Sequence, residues 1–266
     1  MTAVRVAAAQ AASVEGDLAA NVARAAELVA EAARSGARVV VLPEAFLTGY
    51  SEAAFAGPVP HEDDLDGAWL ESLRTASSSG DIVVVVCTPL QRRSARTLSS
   101  LVIRPGGEVG APYDKQHLSG YENDHFTAGD HGASIVVDGL ELGLSICYDG
   151  CFPEHARAAA LDGAVGYLNS AAYFPGGEHR RDLYYPARAL DNGMYVVLSA
   201  LTGTCGPVDF IGGSAIHDPE GHTLTSLGTE EGVVVADLDP DLVAATREAH
   251  PMLADRRTSL GQRVRA

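Results

Sequence analysis

The chain has 266 residues, 46% apolar, 20% charged and 6% aromatic, a globular composition long enough for one large domain or two small ones. With 19 Lys and Arg against 35 Asp and Glu, the net charge is −16, which on average repels polyanions and argues against nucleic acid as a partner. No apolar run approaches the roughly 20 residues of a membrane helix, so no membrane association is expected.

The opening MTAVRVAAAQAASVEGD has one Arg and no convincing cleavage site, so it reads as a strand rather than a signal peptide and the chain is expected in the cytoplasm. Asp17 is placed to cap a helix bearing Leu18, Val22, Ala25, Val29 and Ala33 at helical spacing, closed by Gly36. VVVLP at 39–43 and DIVVVVCT at 81–88 are continuous β-branched runs of the kind found in strands covered on both faces, with a helix expected at 67–79 between them. HEDDLD at 61–66 reads as a solvated acidic loop. Two hairpins are expected next, turning at Gly106-Gly107 and at Asp138-Gly139. Pro153 suits the first turn of a helix in FPEHARAAALDGA, AVGYLNS is a strand, RRDLYYPARALDNG a helix ending at Gly193, and MYVVLSA a strand. GGSAIHD and GVVVADLD are further β segments before a final helix from about 240. No repeat or Pro/Ser-rich linker divides the chain, so residues 1–266 read as one α/β domain with a mixed sheet.

Three segments put a reactive side chain just after an expected strand, where open α/β sheets usually place ligands. Glu44 follows VVVLP; taken alone it is better read as an exposed loop residue. Lys115 and Glu122 lie in the irregular stretch APYDKQHLSGYENDHFTAGD and, taken alone, are a solvated pair. Cys147 ends a strand in GLSICYDGCFPEHAR, with a helix about six residues on, a geometry that exposes a nucleophile beside backbone donors; in isolation a cysteine is more often an inert small hydrophobe, as Cys87 and Cys205 read. Four cysteines are too few for a disulfide scaffold, and the nine histidines show no HExxH or HxH, so no metal site is expected. No GxSxG is present to support a serine hydrolase.

Together these segments resemble the nitrilase superfamily, the carbon-nitrogen hydrolases, along almost the whole chain: GDLAANV, LPEAFLTGY, YDKQHL with Glu122, Phe126 and Gly129 downstream, ICYDGCFPE, ARALDNGMYVV and GGSAIHDPEG. The resemblance implies an αββα sandwich of two mixed sheets flanked by helices. It also implies a triad of Glu44, Lys115 and Cys147, with Glu122 beside the lysine. In that scheme Cys147 attacks an amide carbonyl, Glu44 moves the protons, and Lys115 with the backbone N–H of Tyr148 holds the oxyanion, with no metal or organic cofactor. The lysine is expected to favour the thiolate of Cys147. Family members commonly pair, so a homodimer or larger homo-oligomer is implied.

True nitrilases in the superfamily tend to follow the cysteine with Trp-Glu, whereas Tyr148-Asp149 here favours an amidase acting on a small amide. Hydrolysis of N-carbamoyl compounds or nitriles, acyl transfer from the thioester, and an inactive ligand-binding role are the alternatives. Cys151 stands where many relatives carry an arginine, so a substrate carboxylate held at that point is not implied. By position, Tyr50, Tyr121, His125, Tyr148, Asn169, Ala171, Ala172 and Tyr173 are substrate-pocket candidates, though most could equally pack. Arg188 and Asn192 read as bracing residues.

Overall fold

The β-branched runs become neighbouring parallel strands, and the computed structural model describes residues 2–265. In the first half, β1 (Val4–Gln10) leads to α1 (Leu18–Arg34), β2 (Val39–Val41), the short α2 (Glu52–Ala56), α3 (Glu71–Gly80), β3 (Val83–Gln91), β4 (Arg96–Ile103) and β5 (Val109–Asp114). A one-turn α4 (Glu122–His125) precedes β6 (Ser134–Val137), β7 (Leu140–Ile146), α5 (Pro153–Leu161), β8 (Gly166–Ala171), α6 (Glu178–Asn192) and β9 (Tyr195–Ala200). Then come a hairpin of β10 (Thr202–Cys205) and β11 (Val208–Ile211), followed by β12 (Ala215–His217), β13 (Thr223–Ser226), β14 (Gly232–Leu238), α7 (Pro240–Ala249) and α8 (Met252–Asp255).

Two six-stranded sheets form, ordered β14-β1-β2-β3-β4-β5 and β13-β12-β9-β8-β7-β6. Each has three parallel strands at its centre (β1, β2, β3 and β7, β8, β9) and antiparallel strands outside them. The period of two along each strand decides what lies on either face. Val39 and Val41 point between the sheets with Val6, Val85, Leu144, Leu168 and Val197, while Val40 joins Val29 and Leu28 of α1 on the outer face. On the second sheet Tyr167, Val196 and Leu198 meet Ala156 of α5 and Tyr185 and Ala189 of α6. The result is the αββα sandwich that the resemblance implied.

Local signals hold at most boundaries. Asp17 caps α1 through Ala20 N at 3.0 Å, and Asp138 (φ 48°) with Gly139 (φ 85°) makes the tight β6–β7 turn. Gly193 ends α6 in the left-handed region. Differences are small and local. β2 stops at Val41, the expected helix at 67–79 begins at Glu71 after a 3₁₀ turn, and the acidic 61–66 stretch is partly tied down by Glu62, which accepts from Arg93 N at 2.7 Å. Leu144 is fully buried between the sheets, so Leu144→Ala should lower the unfolding free energy by about 2–5 kcal/mol in denaturant titrations; a loss below about 1 kcal/mol would mean that this interface is not the core.

Candidate active site

Both sheets deliver their chemistry to one edge of the sandwich. Glu44 follows β2, Lys115 follows β5 without a break, and Cys147 follows β7. The end of β8 and the residue after it stitch the two sheets together there: Glu44 N donates to Ala171 O at 3.3 Å and Cys147 Sγ to Ala172 O at 3.4 Å.

Lys115 is 1% exposed and Glu44 and Glu122 are 0% exposed. The Lys115 ammonium donates to Glu44 Oε1 at 2.6 Å and to both oxygens of Glu122 at 2.7 Å. Glu122 is held in turn by Tyr50 Oη at 2.6 Å and Ser119 N at 2.8 Å. Glu44 Oε2 is buried with no hydrogen-bond partner among the described residues, a lone acceptor at the centre of the cluster.

Two carboxylates sharing one cation in a dry site cannot both ionise freely. Burial pushes Glu44 up to about 8 against the pull of Lys115, and the neighbouring Glu122 charge adds to the rise. Burial opposes the charged form of Lys115, yet Glu44 and Glu122 together hold its pKa well above the ordinary value. Burial, reinforced by Glu44, raises the Cys147 thiol well above its usual range, and Lys115 does not reverse this. Lys115 does pull Cys147 towards the thiolate, as expected, but burial and the Glu44 charge outweigh that pull.

Backbone strain marks the same residues. Among the described residues four non-glycines have left-handed φ; Asp81 and Asp138 sit in turns, while Ala45 (φ 48°) follows Glu44 and Cys147 (φ 43°) is the cysteine itself. After Cys147 the chain makes a 3₁₀ turn over Cys147–Cys151 and then enters α5 at Pro153.

Asp149, which sequence reasoning valued only as a substrate marker, holds this turn in place. Its buried carboxylate accepts from Ile146 N at 3.0 Å, His117 N at 2.9 Å, His117 Nδ1 at 2.8 Å and Tyr113 Oη at 2.6 Å. It thereby joins the cysteine turn to the segment that carries Lys115. Behind it, Tyr113 lies 2.8 Å from His155 Nε2, and His155 Nδ1 lies 2.8 Å from Tyr167 Oη. Burial lowers the His155 pKa, which suits a neutral ring that accepts from Tyr167 and donates to Tyr113.

The pocket candidates divide into three groups. Tyr50 spends its hydroxyl on Glu122, and Ala171 and Ala172 contribute carbonyls that hold Glu44 and Cys147. Asn169 lies beneath Cys147, with its amide occupied by Ser145, Tyr185 and the Cys147 carbonyl, and Tyr173 donates to Tyr185 at 3.1 Å. Tyr121 Oη and His125 Nε2 are buried without partners among the described residues, and the Tyr148 side chain is exposed. Arg188 and Asn192 are buried on α6, where Asn192 donates to Arg188 O at 2.8 Å, in keeping with a bracing role. Among the described residues, no group of three His, Cys, Asp or Glu side chains could hold a metal ion.

A family model described as carbon-nitrogen hydrolase matches residues 5–248. The chain belongs to the carbon-nitrogen hydrolase family. It is 33% identical over 239 residues to a deaminated glutathione amidase of Escherichia coli, covering 87% of this chain and 89% of that protein. It is 32% identical over 253 residues to an (R)-stereoselective amidase of a Pseudomonas species, covering 94% and 90%. Among solved structures, a glutamate-to-glutamine mutant of the amidase from Nesterenkonia sp. superposes with a TM-score of 0.84 at 29% identity, covering 96% of this chain and 94% of that one. That structure shows covalent addition of the acetamide moiety of fluoroacetamide at the active site cysteine.

The sign of the Asp149 effect is open to measurement in this carbon-nitrogen hydrolase. Asp149→Ala leaves several buried donors without an acceptor and should lower the unfolding free energy by more than about 2 kcal/mol; a change below about 1 kcal/mol would show that the carboxylate does not tie the turn to the Lys115 segment.

Proposed function

We propose that the chain forms a single catalytic domain, a thiol amidohydrolase that cleaves a small amide to its acid and ammonia, with Cys147 as nucleophile. The observation that carries this reading is the convergence of Glu44, Lys115 and Glu122 within 2.6–2.7 Å contacts, beside a cysteine at φ 43°. As the Cys147 sulfur bonds to the substrate carbonyl carbon, its proton passes to Glu44, whose free Oε2 is the available acceptor. Lys115 and the Tyr148 N–H stabilise the oxyanion. When the tetrahedral centre collapses, the carbon–nitrogen bond breaks and Glu44 returns the proton to the leaving ammonia, leaving a thioester on Cys147. Water then gives a proton to Glu44, bonds to the thioester carbon, and expels the sulfur, which recovers its proton. Glu122, braced by Tyr50, holds Lys115 charged and in place.

Amides rank ahead of N-carbamoyl compounds and nitriles because of Tyr148-Asp149 and because the relatives named above are amidases. Tyr50 sits among Phe55, Tyr121, Phe174 and Phe210 at ring separations of 4.9–6.0 Å, an aromatic wall beside Glu122 suited to a small apolar acyl group. Exposed Leu183 and Leu190 on α6, with Leu161 at the end of α5, give the helical face apolar area that a second copy would cover. Four unpaired cysteines suit a reducing compartment, and we place the protein in the cytoplasm.

Ammonia release across aliphatic amides, ω-amides, carbamoyl amino acids and nitriles tests the reading. Turnover of amides, with an acyl adduct on the intact chain that Cys147→Ala abolishes, is expected; turnover of nitriles or carbamoyl compounds alone would overturn the amide assignment. The pH dependence tests Glu44. A base must be ionised to work, so kcat/KM should rise with pH through about 8, the pKa to which burial pushes Glu44, and fall below it. Glu122→Gln removes a charge that raises Glu44, so this limb should move to lower pH; movement to higher pH would refute the assignment.

A further inference from the structure

The Cys147 carbonyl is gripped from beneath. Asn169 Nδ2 approaches it at 3.5 Å and Tyr185 Oη at 3.4 Å, and Asn169 and Tyr185 are each 0% exposed. Asn169 is fixed by donation to Ser145 Oγ at 2.8 Å, and Ser145 donates to Leu168 O at 2.9 Å. Tyr185 shares its single proton between Cys147 O and Asn169 Oδ1, the latter at 3.0 Å, while accepting from Tyr173 Oη at 3.1 Å. Gly150 makes room for the grip: a Cβ there would lie 2.8 Å from the Tyr185 ring and 3.1 Å from Asn169 Nδ2.

A trans peptide unit is planar, with its C=O and N–H pointing in opposite directions. Holding the Cys147 oxygen on the buried side therefore turns the Tyr148 N–H of the same unit towards the opposite, open side. Tyr148 is the second residue of the 3₁₀ turn, where an N–H has no acceptor within its own turn. We infer that Asn169 and Tyr185 are positioning residues that aim the Tyr148 N–H at the substrate oxygen by clamping the other end of its peptide plane. This rests on the reading of that N–H as an oxyanion donor. It gives Asn169 a part beneath the nucleophile in place of the substrate contact expected from its position, and it gives a part to Tyr185, which position alone did not single out.

The test separates acyl chemistry from thiol reactivity. Tyr185→Phe keeps the ring against Gly150 and removes the hydroxyl; its kcat and KM for a simple aliphatic amide are compared with the rate at which methyl methanethiosulfonate, which has no carbonyl, modifies Cys147. Expected is a fall in kcat of about 10- to 100-fold, short of the roughly 100- to 1,000-fold cost of losing an oxyanion donor outright, with KM and the modification rate within about twofold of wild type. An unchanged kcat, or a modification rate that falls in step with kcat, overturns the inference, the latter by placing the effect on the sulfur. Should Tyr185→Phe not fold, Tyr173→Phe, which removes only the hydroxyl donating to Tyr185, carries the same comparison with a smaller fall expected. A wild-type chain that is modified at Cys147 but hydrolyses no amide overturns the amidase reading and the inference with it, and is distinguished before any variant is made.

Discussion

A single buried ammonium, Lys115, between two buried carboxylates is the constraint on which the site depends. Removing an ion from water costs several kcal/mol unless partners replace its hydration. Lys115 recovers it with three contacts of 2.6–2.7 Å, drawn from two distant parts of the chain: Glu44 follows β2, while Glu122 opens α4 seven residues beyond Lys115. Net charge then settles the chemistry. One cation cannot satisfy two anions, and burial adds to the deficit at Glu44, whose second oxygen has no partner among the described residues and whose pKa is raised to about 8.

Rigidity around this cluster comes from the sandwich. Stiff β-branched strands bring three chain segments to one edge, and the end of β8 with the residue after it closes the seam by accepting from both Glu44 N and Cys147 Sγ. Asp149 then fastens the cysteine turn to the Lys115 segment through four contacts. Left-handed conformations at Ala45 and Cys147 cost on the order of 1–3 kcal/mol each, a strain that persists only where surroundings over-determine the backbone. Here the strained residues adjoin the buried hydrogen bonds of Glu44 and Asp149, so the local geometry is set by the fold before any substrate arrives.

What the sequence made legible follows from how local each signal is. Valine runs announce buried strands because periodicity and propensity act within a few residues, and Asp138-Gly139 announces its turn because both residues tolerate positive φ. Glu44, Lys115, Glu122 and Cys147 were individually ambiguous and became legible only through a resemblance spanning distant motifs. The β10–β11 hairpin, Tyr185 and the Tyr113–His155–Tyr167 chain left no such mark. Tyr185 is one aromatic on an amphipathic helix, and its importance arises from Gly150, 35 positions earlier in the chain, which only tertiary packing places beneath its ring. The net balance at Cys147 was not legible for a related reason: the pull of a lysine is pairwise and local, whereas burial and two carboxylates, which outweigh it, come from the whole cluster.

That balance bears on how a reactive thiol is recognised. Burial raises the pKa of all four cysteines, Cys87 and Cys147 most, so acidity does not separate the nucleophile from the bystanders. Cys87 is fully enclosed within β3, Cys205 is buried in the β10–β11 hairpin, and Cys151 has only the Tyr173 hydroxyl at 3.8 Å. Of the four, Cys147 alone combines partial exposure, a strained elbow and a neighbouring buried carboxylate, Glu44. Under the proposed mechanism a raised thiol pKa costs little, because the proton would move within the same buried cluster and no isolated thiolate would have to form. In this protein, reactivity is thus a property of the cluster rather than of the sulfur.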